Sequence, residues 1–166
     1  MRRGTRQLAR RRRRVTTGLL GLGMVAVVIM AVVAVRRPPE TLPTVRGLSH
    51  TALLTHGQSV HTQHCAACHG ANLEGQSNWK RPLPTGGYPA PPHDASGHTW
   101  HHPDQLPFTI IKNGGQASAP RGFHSNMPAF KTLLSDDDIR AVLAYIKSQW
   151  PAEIQAQQAE ITRRHP

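Results

Sequence analysis

Cysteine is almost missing from this 166-residue chain: there are two, both within Gln63-His64-Cys65-Ala66-Ala67-Cys68-His69-Gly70. A zinc site usually draws on a second cysteine pair, which this chain lacks, so some of its 11 histidines would have to complete one. Acid is scarce too, with nine Asp and Glu against 20 Lys and Arg, but the imbalance is local. Residues 1–37 carry ten of the basic residues and no acid, which leaves ten basic and nine acidic residues in 38–166. The basicity therefore belongs to the N-terminus, and nucleic-acid binding loses its main support. Aromatic residues make up only 5% of the chain. No repeat and no strand pattern of any length is visible. A domain so poor in core material needs a staple: a disulfide, a metal or a cofactor.

What is present begins with topology. Residues 1–14 hold eight arginines, and residues 15–35 then run 21 positions without a charge. At about 1.5 Å per residue, roughly 20 helical residues cover a hydrocarbon core of about 30 Å, so the run is long enough to span. It exceeds the 7–15 residues or so of a signal-peptide core, and Val33-Ala34-Val35 is a poor cleavage site. The reading is an uncleaved transmembrane anchor behind a cytoplasmic basic segment. The positive-inside bias then places the rest of the chain across the membrane. A twin-arginine export signal is the weaker alternative. Residues 36–48, with three prolines, read as an extended linker.

The outer segment is large enough for one small domain, expected over residues 49–151. A first helix is expected from Ser49 or His50 to Ala67, with Leu53, Leu54, Gly57, Val60 and Ala67 near one face. Residues 70–103 show no period of 2 or 3.6 and contain tracts such as Thr85-Gly86-Gly87 and Pro89-Ala90-Pro91-Pro92. A loop of that length inside a compact domain needs something else to wrap around, which points to a large ligand. A short helix follows over Asp104–Lys112, stopped by Asn113-Gly114-Gly115. The clearest element is the last helix. Ser135 caps it with Asp138 in the capping-box position, Ile139, Val142, Leu143, Ile146 and Trp150 share a stripe, and Pro151 ends it. Residues 152–166 read as a polar, frayed or disordered tail.

Cys-x-x-Cys fits three chemistries. A redox dithiol wants a βαβ context and has no need of the following histidine. Zinc needs further ligands from the histidines. Covalent haem attachment gives every position a reason: the two thiols add to the two vinyl groups on one edge of the porphyrin, and the next residue brings its imidazole to the iron.

On these residues the chain resembles the class I c-type cytochromes over nearly all of 50–150. Cys65-Ala66-Ala67-Cys68-His69-Gly70 is similar to their attachment motif, Asn126-Met127-Pro128-Ala129-Phe130 to the loop of their axial methionine, and Ala144-Tyr145-Ile146 to their C-terminal helix. The resemblance implies an all-α cytochrome c fold, few helices and long loops around one covalent haem c, here preceded by the membrane anchor. It implies that Gly57 permits a close crossing against Val142 and Tyr145. It also implies that the Pro91 carbonyl accepts a hydrogen bond from the His69 imidazole, which would fix the ring and its basicity. Two positions depart from the family. His61 stands where an aromatic is usual, and Pro91-Pro92-His93 replaces the usual Pro-x-Leu.

Met127 lies 58 positions from His69, ample to reach the opposite haem face, and His124 is its main rival as ligand. A thioether favours ferrous iron, so a His69/Met127 pair raises the potential and closes the iron, which argues for electron transfer over substrate chemistry. Trp100 is expected to cover the haem edge or meet a propionate. His93, His98, His101 and His102 are expected to be loop residues; copper or zinc binding is the sharper alternative. Together these readings describe a non-enzymatic, membrane-tethered monohaem electron carrier on the periplasmic side of a bacterial cytoplasmic membrane, serving membrane redox complexes or dehydrogenases. The alternatives are a fixed cytochrome subunit of one complex, or a haem sensor or peroxidase with an open sixth position.

Overall fold

A computed structural model describes residues 47–165, within the compact unit Thr41–Pro166. The basic segment, the proposed span at 15–35 and nearly all of the linker lie outside the described residues. Among those described, no helix is long and apolar enough to cross a membrane. The described residues are all-helical: α1 (His50–His64), α2 (Ala66–His69), α3 (Gln105–Asn113), α4 (Asp136–Ser148) and α5 (Ala152–Arg164), with 3₁₀ turns at Thr99–His101 and Gly115–Ser118.

Helix α1 starts where the Ser49 hydroxyl accepts the Ala52 N–H at 3.2 Å. Its buried residues Leu53, Gly57, Val60 and His61 follow i, i+4, i+7, i+8 spacing. It ends earlier than expected. Cys65, which caps the helix, opens to φ −118° with ψ still at −36°, and the chain restarts as α2, so Ala67 is exposed and off the α1 face. Helix α4 forms as expected. The Ser135 hydroxyl accepts the Asp138 N–H at 3.1 Å while the Ser135 N–H donates to the Asp138 carboxylate at 2.9 Å. Ile139, Val142, Leu143, Ile146 and Trp150 are all buried. Full burial of each such side chain contributes about 1.5–3 kcal/mol.

Helices α1 and α4 pack backbone to backbone. A Cβ added at Gly57 would sit 2.0 Å from the Ala141 carbonyl oxygen and 2.9 Å from the Tyr145 Cβ. Ala141 therefore takes the place expected of Val142. Residues 141 and 145 share one face at i, i+4, whereas Val142 is turned onto the core formed with Val60, Leu73, Ile111 and Phe130. His56 Nε2, 2.6 Å from Asp138 Oδ1, joins the two helices at one end of the crossing. His61 is 1% exposed and lies against Tyr145, ring centroids 5.6 Å apart. The imidazole thus occupies the aromatic position, although its Nε2 has no hydrogen-bond partner.

Between α2 and α3 the chain is loop apart from the Thr99–His101 turn. It is held by individual bonds: Leu73 O accepts the His93 N–H at 2.8 Å, and Ala90 O accepts the Gln76 N–H at 2.9 Å. Residues 152–164 are not the frayed tail the composition implied. They form α5, and Gln158 is only 1% exposed. Its amide nitrogen lies 2.7 Å from Asp104 Oδ1, 3.1 Å from the His102 carbonyl and 3.0 Å from the Thr162 hydroxyl. Lys147 closes the network, reaching both Asp104 oxygens at 2.8 and 2.9 Å. These polar partners join Ile154, which packs on the main core, in docking this helix.

Two outcomes follow. Gly57→Ala, a substitution that favours an isolated helix by about 0.5–1 kcal/mol, should instead destabilise this protein by about 1–3 kcal/mol or more, because the methyl meets backbone that cannot step aside. Urea unfolding of the haem-loaded protein would measure it. Burial, the largest cause, lowers the His61 pKa below 6.5. The unfolded chain then binds more protons once the pH falls below 6.5, so this residue costs stability from there down to its folded pKa. His61→Phe should lose less stability than the native protein between about pH 7 and pH 5, a comparison of unfolding midpoints.

Candidate cofactor site

The attachment motif sits at the corner between α1 and α2. Cys65 is half-buried against the main core, and Cys68, one turn on, is exposed; both are free thiols. Burial, with Cys68 adding to it, pushes the Cys65 thiol up to about 11, so it is held as S–H. His69 closes α2 and is 7% exposed. Its Nδ1 lies 2.8 Å from the Pro91 carbonyl oxygen. A carbonyl can only accept, so Nδ1 carries the proton and the Nε2 lone pair is free for a metal. Burial lowers the His69 pKa and the Pro91 bond only partly opposes it, which keeps the imidazole neutral.

The Pro91 carbonyl is presented by a tight chain crossing. Gly75 has φ +68°, and a Cβ there would lie 2.4 Å from Pro92 N and 2.6 Å from the Pro91 carbonyl carbon. Any side chain would push the carbonyl away from His69 and would be strained at that φ as well.

Met127 is carried by a segment stitched to the end of α3. Gly115 N–H donates to Met127 O at 3.1 Å, Phe130 N–H to Ile111 O at 3.0 Å and Lys131 N–H to Lys112 O at 3.0 Å. Its side chain is half-buried and packs on the same core as Cys65, whereas His124 is exposed. Trp100 packs on that core too. Its indole N–H points to Ala95 O at 3.4 Å, and its ring stacks on His101 at 3.6 Å.

Of the remaining histidines, His98 and His102 meet edge to face with ring centroids 5.4 Å apart. Among the described residues no three His, Cys, Asp or Glu side chains group to hold a metal ion, so the copper or zinc alternative has no site there. His98 stacks on Trp79 at 5.6 Å, His101 on Trp100, and His93 lies 2.7 Å from the Thr99 hydroxyl. Burial first, then neighbouring cations, lowers the pKa of His98 and His102 and sends that of His93 well below 6.5. His93 also stacks on His69, ring centroids 4.0 Å apart, a contact the sequence reading did not foresee.

The residues present fit a haem. Two thiols are spaced for two vinyl groups, a neutral imidazole presents a free Nε2, and a thioether leans on the same core. Fold and site thus define a small helical haem protein. Residues 54–150, more than half of the chain, match the family model described as cytochrome c, and the chain belongs to that family. No curated protein and no solved structure matches it. As a family member it binds haem c covalently, and the family's function is electron transfer.

Cys65→Ala or Cys68→Ala alone should leave haem attached on a denaturing gel, with the reduced pyridine haemochrome band moved to longer wavelength because one vinyl group survives. The double variant should lose the haem from the gel band. An unshifted haemochrome in either single variant would mean that the replaced cysteine makes no bond.

Proposed function

We propose that this is a monohaem class I cytochrome c, tethered to a bacterial cytoplasmic membrane by residues 15–35, that carries single electrons on the periplasmic side. Cys65 and Cys68 would hold the porphyrin edge, and His69 and Met127 would hold the iron. The bound haem supplies a one-electron ferric/ferrous couple. The observation that carries the reading is the pairing of a neutral, backbone-anchored His69 with a half-buried Met127 on the core that also receives Cys65, while His124 stands in solvent. A thioether paired with an imidazole would favour the ferrous state relative to two nitrogens. The chain's own contribution is to hold the His69 tautomer, keep water from the ring and bury the couple.

The tether rests on the uncharged run at 15–35 behind the arginines of 1–14. It keeps the carrier close to membrane redox complexes or dehydrogenases and raises their effective concentration without new contacts.

The test is the absorption spectrum of the haem-loaded protein, oxidised and reduced, with and without carbon monoxide. The expected result is a weak far-red methionine-to-ferric-iron band and no response to carbon monoxide. Met127→Ala should abolish the band, admit carbon monoxide and lower the midpoint potential. Rapid carbon monoxide binding by the native protein, with no far-red band, would give an open iron and sink the carrier reading.

A further inference from the structure

His93 occupies the place where a leucine is usual, and the structure gives this imidazole unusually firm support. Its ring stacks on the His69 ring at a centroid distance of 4.0 Å with 24° between the planes. Its Nδ1 lies 2.7 Å from the Thr99 hydroxyl. Its backbone is held at both ends: the N–H donates to Leu73 O at 2.8 Å, and the carbonyl accepts the Trp150 indole N–H at 2.7 Å. Leu73 is itself 1% exposed and sits at φ +68°, a conformation that a non-glycine residue keeps only when its surroundings enforce it. The same loop is tied down further along by Gln158 at the His102 carbonyl and by Thr162, whose hydroxyl accepts the Asp104 N–H at 3.1 Å.

A bond from Nδ1 to Pro91 O lies in the plane of the His69 ring and fixes one atom of it. It resists tilting of the ring about that bond only weakly. A flat neighbour pressed on the ring face supplies the perpendicular restraint. We propose that His93 is a positioning residue of the haem site: it clamps the His69 imidazole plane, and Thr99 and Trp150 hold His93 in turn. The clamp links the segment just after α4 to the His69 ring through one residue. A leucine could fill the volume, but it has neither a flat face to align with the imidazole nor an atom for Thr99 to anchor.

This rests on His69 being an axial ligand, so His69→Ala is included as a control. The readout is the set of haem methyl resonances in the ferric state, whose order and spread follow the orientation of the ligand plane, together with the midpoint potential. All measurements use the haem-loaded full chain. His93→Leu should change the order or spread of the methyl shifts and move the potential, with the low-spin absorption spectrum kept. His93→Phe, which retains a flat face but loses the Thr99 anchor, should give a pattern closer to the native one than His93→Leu does. Thr99→Val, nearly isosteric and safe for folding, should give a partial change in the same direction even if His93→Leu fails to load haem. Native shifts and potential in Thr99→Val and His93→Leu would overturn the proposal, as would a His93→Phe spectrum as altered as that of His93→Leu. A native low-spin spectrum in His69→Ala would overturn the ligand assignment and this inference with it.

Discussion

The closeness of α1 to α4 at Gly57 is the constraint on which the remaining geometry depends. The Ala141 carbonyl occupies the volume where a Cβ would be, so the two backbones touch rather than their side chains. Because α1 runs straight into Cys65, the crossing sets where the corner between α1 and α2 falls and therefore where His69 emerges. With Ala141 and Tyr145 against α1, the Ile139–Val142–Leu143–Ile146 stripe is left to face Leu73, Ile111 and Phe130. Cys65, Met127 and Trp100 all lean on that one cluster.

Around this crossing the chain uses directional bonds where a larger protein would use apolar area. The long segment after α2 contributes Leu73 to the core, but its course is set by carbonyls that each accept a specific donor. Such bonds contribute about 0.5–1.5 kcal/mol each when made and cost about 1–3 kcal/mol when a buried partner is lost. The Asp104–Lys147–Gln158 network follows the same rule, and it holds a helix whose exposed faces are almost wholly polar.

Much of this was legible from residue order. The Cys65–Cys68–His69 spacing, the Ser135 capping box and the stripe from Ile139 to Trp150 are local patterns, and local patterns survive without knowledge of the fold, whereas the Pro91 carbonyl was implied only by the family resemblance. The α5 helix was not legible by the same route. Ile154, Gln158 and Ile161 do fall at i, i+4, i+7, but the central member is a glutamine, and its burial depends on Asp104, 54 residues away. Ala141 was missed for a similar reason: choosing between neighbours 141 and 142 requires the rotation of α4 about its axis, which only the packed partner defines.

The sequence by itself determined the chemistry: two thiols and an imidazole at the spacing of a covalent haem, a methionine in a separate loop, and three of the five described helices to within a few residues. These are properties of near neighbours along the chain, where spacing and capping act before any tertiary contact forms. The tertiary structure alone decided which atoms meet across long separations. It set Ala141 rather than Val142 against Gly57, placed the His93 ring on His69, left the remaining described histidines without a three-ligand cluster and docked α5 on Asp104. The physical reason is that stacking and buried hydrogen bonds depend on orientation to within fractions of an ångström, and that precision comes only from elements already packed.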